Sequence, residues 1–595
     1  MLHQSCRRLW VLGLLAMGLA ACSETVDPAA GGGGAGGADA GGGDGGGLAD
    51  GGGADGDVLA FDAEPDGGTD ALPDAPEDEP EDGTDDDGDA GPVDDADDAA
   101  DVVEDVDVDV DAEDGDGSGV DVETDVEVGE DARPDTVIEP GDEPQVVRTG
   151  TGGTLLRGDV LTPTGVIADG RVLIVGDTIT CVGNCEDAAG AATATVIETN
   201  GIISPGLIDA HNHLAYNFLP EWVPPGGRLY ENRYQWADDP SYEAWVLPYT
   251  ANRSSNSHFC PASQWGELRS LLHGTTTIQG QSFERTCTQG MVRNADHAHD
   301  LGDDHMQTSI GSVRDINDET ADGYLMSFAD GTTRFAVHMQ EGYASDNILL
   351  EFDSFAGRDT RANRHAGVSL LGTTSVLIHS IALTEAQLDE AEAEGAYIVW
   401  SPSSNMVLYD RTLDLEAVLS RDIVVGIGPD WTISGEDDML AELEFAAEWA
   451  AENEVALSNE RLWRMATIDG AEVVGLGDRT GQLTVGYAAD VTVFRRTRTD
   501  AYESVIRARG TDVMAVFIDG ELVTGVESLA PLTTGCERWD VCGSNRFVCR
   551  PADPTYATIG DIEQTLVNIL QGTGYPADEQ YGRGDDLLPL VDCAR

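Results

Sequence analysis

The sequence predicts an α/β protein, a (β/α)8 or TIM barrel with a small β-sandwich formed from segments on both sides of it. Two observations predict this. A central piece of roughly 270 residues alternates short apolar strands with helical stretches, close to the about 250 residues of such a barrel. Short strands with turn signals flank that piece on both sides, as one domain built from two separated segments would require. The chain then divides into residues 1–22, a leader; 23–147, an acidic spacer; 148–204, the N-terminal sandwich segment; 205–475, the barrel; 476–530, the C-terminal sandwich segment; and 531–595, a cysteine-containing extension.

In the leader, Arg7 and Arg8 precede an apolar run from Leu9 to Ala21. At about thirteen residues, this run is too short to cross about 30 Å of hydrocarbon as a helix, so it reads as a signal peptide. Leu19-Ala20-Ala21-Cys22 resembles the lipobox of bacterial lipoproteins, in which the cysteine is acylated and becomes the mature N-terminus. An ordinary cleavage site with an incidental cysteine is the alternative. The lipobox reading implies a membrane anchor through Cys22 and an extracytoplasmic location, since two or three acyl chains hold stably.

Residues 23–147 hold 44 acidic residues against one arginine, Arg133. Like charge at that density repels itself, and little apolar area is present to offset ordering entropy, so the segment is expected to be a disordered, extended tether. Asp105 to Asp111 alternates Asp with Val. That run lacks the fixed spacing and closing glutamate of a calcium loop.

The N-terminal sandwich segment contains strands around Asp159-Val-Leu, Arg171-Val-Leu-Ile-Val, Thr178-Ile-Thr and Thr195-Val-Ile-Glu, with turns expected at Gly176-Asp177 and Asn200-Gly201. Barrel strands are expected at Gly206 to Ala210, Thr275 to Ile278, Met306 to Ile310, Arg334 to Val337, Ser375 to Ile378, Ala396 to Trp400 and Ile423 to Ile427, with Gly290 to Asn294 as the weakest, eighth candidate. Helical periodicity is clearest at Thr384 to Glu394 and Asp437 to Ala451. The C-terminal sandwich segment returns as Thr484 to Arg495 and Val513 to Thr524, the latter a hairpin turning at Asp519-Gly520.

Charge and cysteine usage narrow the partners. The chain has 111 acidic and 32 basic residues, which argues against nucleic acid, whose recognition needs a basic face. Every basic residue is arginine; lysine is absent. Beyond Cys6 and Cys22, eight cysteines remain, an even set that fits disulfides in an oxidising compartment. Cys181 is expected to pair with Cys185 and Cys260 with Cys287. The four tail cysteines, Cys536, Cys542, Cys549 and Cys593, allow three connectivities. Zinc binding by these cysteines is the competing reading, weakened because Cys181 and Cys185 have no second pair at suitable distance.

Four polar motifs follow apolar strands, where barrel enzymes place their sites. They are His211-Asn212-His213, His338-Met339-Gln340-Glu341, His379, and Asp430 in Gly428-Pro429-Asp430. On a strand, His211 and His213 point to one side and can share one metal ion. A lone histidine at a strand end is usually structural; three such sites with a carboxylate are not. Asp296-His297-Ala298-His299-Asp300 also carries His-x-His, but no apolar strand is evident before it, and it reads as surface.

This order of motifs resembles the amidohydrolase superfamily, most closely its mononuclear-metal branch of cytosine and guanine deaminases, imidazolonepropionase and triazine hydrolases. Gly201 to His211, Ser401-Pro-Ser-Ser-Asn-Met406 and Gly486 to Phe494 support the likeness, which covers about Leu155 to Thr524. It implies that His211, His213, His338 and Asp430 hold one divalent metal, zinc before iron. It further implies that Glu341 moves a proton from the attacking water to the leaving nitrogen, while His379 holds the water or polarises the substrate. Pro429 stands where a small polar residue is common in the relatives, and Gln340 follows no strict family choice, which bears on the substrate. The binuclear branch bridges its metals with a carboxylated lysine, which this chain cannot supply.

The implied activity is hydrolysis of a non-peptide C–N bond in a small nitrogen-containing molecule, by deamination or by opening of a cyclic amide or amidine. An exopeptidase-like amidohydrolase is a second reading, with Arg233, Arg253 and Arg285 as candidate carboxylate binders. A surface-displayed binding protein with a silent metal site is a third. An intact Glu341 speaks against the third, since mere binding needs no proton shuttle.

Overall fold

The computed structural model describes residues 137–247, 259–280, 291–296, 305–309, 313–551, 556–572 and 587–594. The leader, nearly all of the spacer, Arg253, Arg285, Cys287, His297 and His299 lie outside the described residues.

Eight parallel strands form the barrel: β1 (Leu207–Asp209), β2 (Thr275–Ile278), β3 (Arg293–Asn294), β4 (His305–Ser309), β5 (Thr332–Met339), β6 (Ser375–His379), β7 (Tyr397–Trp400) and β8 (Val425–Ile427). β1 to β3 pair in one run and β4 to β8 in another. Backbone bonds close both gaps: Met306 N donates to Ala295 O at 3.2 Å, and Ala210 N to Ile427 O at 3.1 Å. The eighth strand is the one expected least clearly, β3. Only two polar residues of it, Arg293 and Asn294, pair, so its sequence carries little strand signal.

Apolar strand residues fill the barrel and its helical coat. Val337, Ile378, Val399 and Ile427 are fully buried, as parallel strands covered on both faces require. Helix Glu385–Glu394 starts at Thr384 with a capping box, and helix Met439–Glu452 starts at Asp438, whose side chain accepts from Ala441 N. Among the described residues no helix is long and apolar enough to cross a membrane.

The flanking segments join one ten-stranded sheet. Strands Thr154–Thr162, Gly165–Val175, Thr178–Gly183 and Thr195–Pro205 meet Val491–Arg495, Val513–Ile518 and Glu521–Val526. Leu156, Val172, Val493, Phe517 and Phe547, drawn from both sides of the barrel, share one core. Strands Glu537–Val541 and Ser544–Val548 of the extension continue the same sheet.

Three details differ from expectation. Asn200-Gly201 is no turn but a kink within Thr195–Pro205: Asn200 takes φ 52, and the strand passes there from pairing with Gln145–Arg148 to pairing with Val491–Arg495. A Cβ on Gly201 would lie 2.3 Å from Phe494 O, so the close approach needs glycine. Thr484 to Asp490 is turn and irregular chain, and only Val491–Arg495 is strand. The spacer, expected to run to Val147, gives way to structure earlier: Val137 bridges Arg498, and Gln145–Arg148 pair with the sheet. Backbone pairing holds this polar end without much buried apolar area.

Cys181 bonds to Cys185, Cys536 to Cys549 and Cys542 to Cys593, which selects one of the three tail connectivities. Cys260 is disulfide-bonded; its expected partner lies outside the described residues.

Candidate active site and metal centre

The six expected site residues come together at the C-terminal ends of the barrel strands. β1 stops at Asp209, but parallel pairing resumes at Asn212 opposite Asp430, and His211 and His213 on either side of Asn212 turn their Nε2 atoms to the same carboxylate oxygen. Two backbone bonds make this pairing: Asp430 N donates to His211 O at 3.1 Å, and His213 N to Asp430 O at 2.8 Å. A Cβ on Gly428 would lie 2.6 Å from both backbone N and O of His211, so this approach requires glycine. His338 lies near the end of β5, and His379 ends β6. Four non-glycine residues here hold left-handed backbone: Gln340 at φ 45, His379 at φ 67, Ser380 at φ 54 and Asp430 at φ 71. Such conformations cost about 1–3 kcal/mol each and persist where surrounding structure imposes them.

The donor atoms of His211, His213 and His338 lie within 4.8 Å of one another, as do those of His211, His379 and Asp430 and those of His338, Glu341 and His379. Asp430 Oδ1 lies 3.2 Å from both His211 Nε2 and His213 Nε2. Two donors each about 2.0–2.2 Å from one ion would have such a separation.

Neighbouring side chains fix which atoms face the cluster. Gln279 Oε1 lies 3.2 Å from His211 Nδ1, and Gln279 Nε2 donates to Asp296 Oδ1 at 3.1 Å. The glutamine oxygen therefore accepts, His211 carries its proton on Nδ1, and Nε2 offers a lone pair. The same logic applies to His379. Asn405 Oδ1 lies 2.9 Å from its Nδ1, while Asn405 Nδ2 donates to Thr412 Oγ1 at 3.1 Å. Ser404 donates to Asp430 Oδ2 at 2.7 Å and leaves Oδ1 facing the histidines.

A divalent metal fits this arrangement. His211 Nε2, His379 Nε2 and Asp430 Oδ1 are buried without hydrogen-bond partners among the described residues. Buried polar atoms left so are costly unless something binds them. Imidazole nitrogens with a carboxylate oxygen form a donor set suited to zinc or iron.

Burial, reinforced by neighbouring imidazoles, holds His338 well below its ordinary pKa, and burial takes His379 down to about 3. Burial also opposes charge on His211, but Asp430 beside it raises that pKa on balance. Against burial, His211 and His213 hold the Asp430 carboxyl well below the usual range. Glu341 is pushed up to about 7 by burial, with Arg233 opposing. Its Oε2 lies 3.7 Å from His379 Nε2, and its Oε1 accepts from Tyr409 at 2.5 Å.

Sequence reasoning missed the supporting residues Gln279, Asp296, Ser404, Asn405 and Tyr409. Asp296 corrects an expectation. It belongs to the segment read as surface, yet it is buried, because the short strand Arg293–Asn294 leads into it and Asp296 orients Gln279. Ser404 and Asn405 stood within the Ser401 to Met406 stretch, the one signal that pointed to them. Arg233 lies 3.0 Å from Glu351, so its charge is matched within the protein. An aromatic wall of Tyr216, Trp236 and Trp431 adjoins His213, whose ring lies 5.2 Å from that of Trp431.

The fold and this cluster define a metal-dependent hydrolase on a (β/α)8 barrel. Residues 313–523 match the Amidohydrolase family. The chain is 26% identical over 459 residues to the 5-methylthioadenosine/S-adenosylhomocysteine deaminase of Syntrophobacter fumaroxidans, covering 67% of this chain and 98% of that one. It is 24% identical to the 5'-deoxyadenosine deaminase of Methanobrevibacter smithii, covering 61% and 90%. Among solved structures, E. coli guanine deaminase aligns with a TM-score of 0.48 at 18% identity, covering 62% of this chain and 99% of that one. The family match and the deaminase relatives support a place in the amidohydrolase superfamily and the hydrolysis of non-peptide C–N bonds.

Proposed function

We propose that the chain is a zinc-dependent deaminase of an amino-substituted nitrogen heterocycle, held outside the cytoplasm by a lipid on Cys22. The observation that carries the catalytic reading is the convergence of the buried His211 Nε2 and Asp430 Oδ1, 3.2 Å apart, beside His213 and His338, with Glu341 alongside. His211, His213, His338 and Asp430 would hold the metal, and Glu341 and His379 would act on water and substrate. The metal supplies Lewis acidity, which lets water act as a nucleophile near neutral pH.

Glu341 takes a proton from the attacking water and returns it to the leaving nitrogen. Its burial suits both steps, because burial raises the carboxyl's hold on a proton and so eases both its uptake from water and its return to the nitrogen. His379 is neutral with its proton on Nδ1, so its Nε2 accepts a hydrogen bond and orients the water. Deamination is favoured over ring opening because the relatives from Syntrophobacter fumaroxidans and Methanobrevibacter smithii are deaminases. The aromatic wall beside His213 suits a flat ring by stacking. The anchor rests on Leu19 to Cys22, and the disulfides agree with an oxidising compartment.

Ammonia release and substrate consumption, followed together on the zinc-loaded full chain, test this, with 5-methylthioadenosine, adenosine and guanine set against cyclic amides and amidines, whose ring opening consumes substrate without freeing ammonia. Release from an aminated ring, abolished by a chelator and restored by zinc, is expected. Turnover of cyclic amides alone would put ring opening in its place. Metal binding without any turnover would establish the silent site.

A further inference from the structure

We infer that Tyr409, itself held by the indole of Trp236, is a positioning residue that reserves Oε1 of Glu341 as an acceptor and leaves Oε2 as the oxygen that carries the transferred proton. This rests on Glu341 being the acid/base proposed above.

The polarity of the chain of contacts decides the point. Trp236 Nε1 donates to the Tyr409 hydroxyl at 2.7 Å, and an indole N–H can only donate. The phenolic oxygen therefore spends an acceptor position on Trp236, and its single hydrogen is directed to Glu341 Oε1, 2.5 Å away. Tyr409 is 1% exposed and Glu341 2%, so water does not compete for either group. A hydroxyl that donates to Oε1 leaves that oxygen no place for a proton along the same line.

Oε2 has the opposite surroundings. It lies 3.7 Å from His379 Nε2, a lone-pair nitrogen, and it faces the His338–Glu341–His379 group. In the first transfer a water O–H bond breaks and an Oε2–H bond forms. In the second, Oε2–H breaks and an N–H bond forms on the leaving nitrogen. Throughout, Oε1 keeps its bond to Tyr409, so the carboxyl does not rotate between the two transfers. Arg233, paired with Glu351, lends its charge to the same carboxylate.

Two readouts on the full chain test the inference. Infrared difference spectra locate the Glu341 carboxyl band as the one lost in Glu341→Gln, and no substrate is needed. That band should shift in Tyr409→Phe and shift less in Trp236→Phe; an unmoved band in Tyr409→Phe overturns the inference. Kinetics with 5-methylthioadenosine, or with whichever aminated ring the ammonia screen turns over, form the second readout. Tyr409→Phe should lower kcat by about tenfold to a hundredfold, the weight of one hydrogen bond to a charged group, with KM and metal content nearly unchanged. In a Glu341→Gln background the same substitution should cost almost nothing further. An equal loss in both backgrounds would show that Tyr409 acts independently of Glu341 and overturn the inference. Full activity in Glu341→Gln would instead defeat the acid/base reading, whatever the band does. Should Tyr409→Phe fail to fold, Trp236→Phe carries both readouts, with the smaller change expected and no change overturning.

Discussion

Ser404 donates to Oδ2 of Asp430 at 2.7 Å, and that bond decides which carboxylate oxygen faces His211 and His213. Ser434 lies 2.8 Å from Ser404, and the Trp431 indole donates to Ser434 at 2.7 Å, so the serine hydroxyl is itself held in place. Ser404→Ala should therefore weaken zinc binding by about tenfold to a hundredfold, the usual effect of losing a partner that orients a ligand. Competition with a chromophoric chelator measures it. An unchanged affinity would mean that Asp430 is held by its backbone alone.

The same reasoning reaches His211 through Gln279. Gln279→Ala frees the His211 ring and removes one of the hydrogen bonds that Asp296 accepts, the one at 3.1 Å. A loss of zinc affinity of the same order, about tenfold or more, is expected in the same competition assay. Affinity equal to that of the parent would remove Gln279 from the metal centre.

Glu267 gives a prediction about pH. It is buried in helix Phe259–Leu272, one of its carboxylate oxygens has no partner among the described residues, and burial raises its pKa well above the ordinary value. In the unfolded chain it ionises near about 4.3. Above that pH the unfolded state releases a proton that the native state keeps, so native stability falls as pH rises towards the raised pKa. Glu267→Gln has no proton to lose. Its Tm relative to the parent should therefore climb between pH 4 and pH 8, by the equivalent of on the order of 1 kcal/mol or more. A difference that stays flat with pH would mean that Glu267 ionises alike in both states.

Cys542 and Cys593 close a loop of sequence separation 51. The bridge ties down a terminal segment whose Leu588 carbonyl also accepts from Trp265 and Arg269. On the chain-entropy model, opening it costs up to about 4 kcal/mol. Cys542→Ser should lower the urea midpoint while metal content holds, because the bridge lies outside the metal cluster. An unchanged midpoint would mean that the packing around Leu588 holds the segment without it.

The anchor is tested at Cys22. Cys22→Ser should abolish lipid labelling and membrane fractionation, since the acyl chains supply the attachment. Labelling and fractionation unchanged in that variant would refute the lipoprotein reading.

The barrel was legible because buried parallel strands read as apolar runs, as Ser375 to Ile378 and Ile423 to Ile427 do. β3 was hardest to see because its paired residues, Arg293 and Asn294, are polar. The ligand candidates stood out because each polar residue follows closely on such a run. Their supports did not, since Gln279, Asn405 and Tyr409 come from other strands and helices and have no spacing relation to the histidines they serve. Asn200 misled because asparagine before glycine marks turns, whereas here the same left-handed preference serves a kink inside a strand.

Everything proposed for the site turns on one division of labour: His211, His213, His338 and Asp430 bind one metal, while Glu341, outside the ligand set, moves the proton. Metal content and turnover measured on one preparation of Glu341→Gln put that division to the test. About one zinc per chain is expected, as in the parent, with turnover lower by about 10²–10⁴, the weight of general acid–base catalysis. An empty site in Glu341→Gln would make Glu341 a ligand, and two metals per chain in the parent would contradict the single-metal centre.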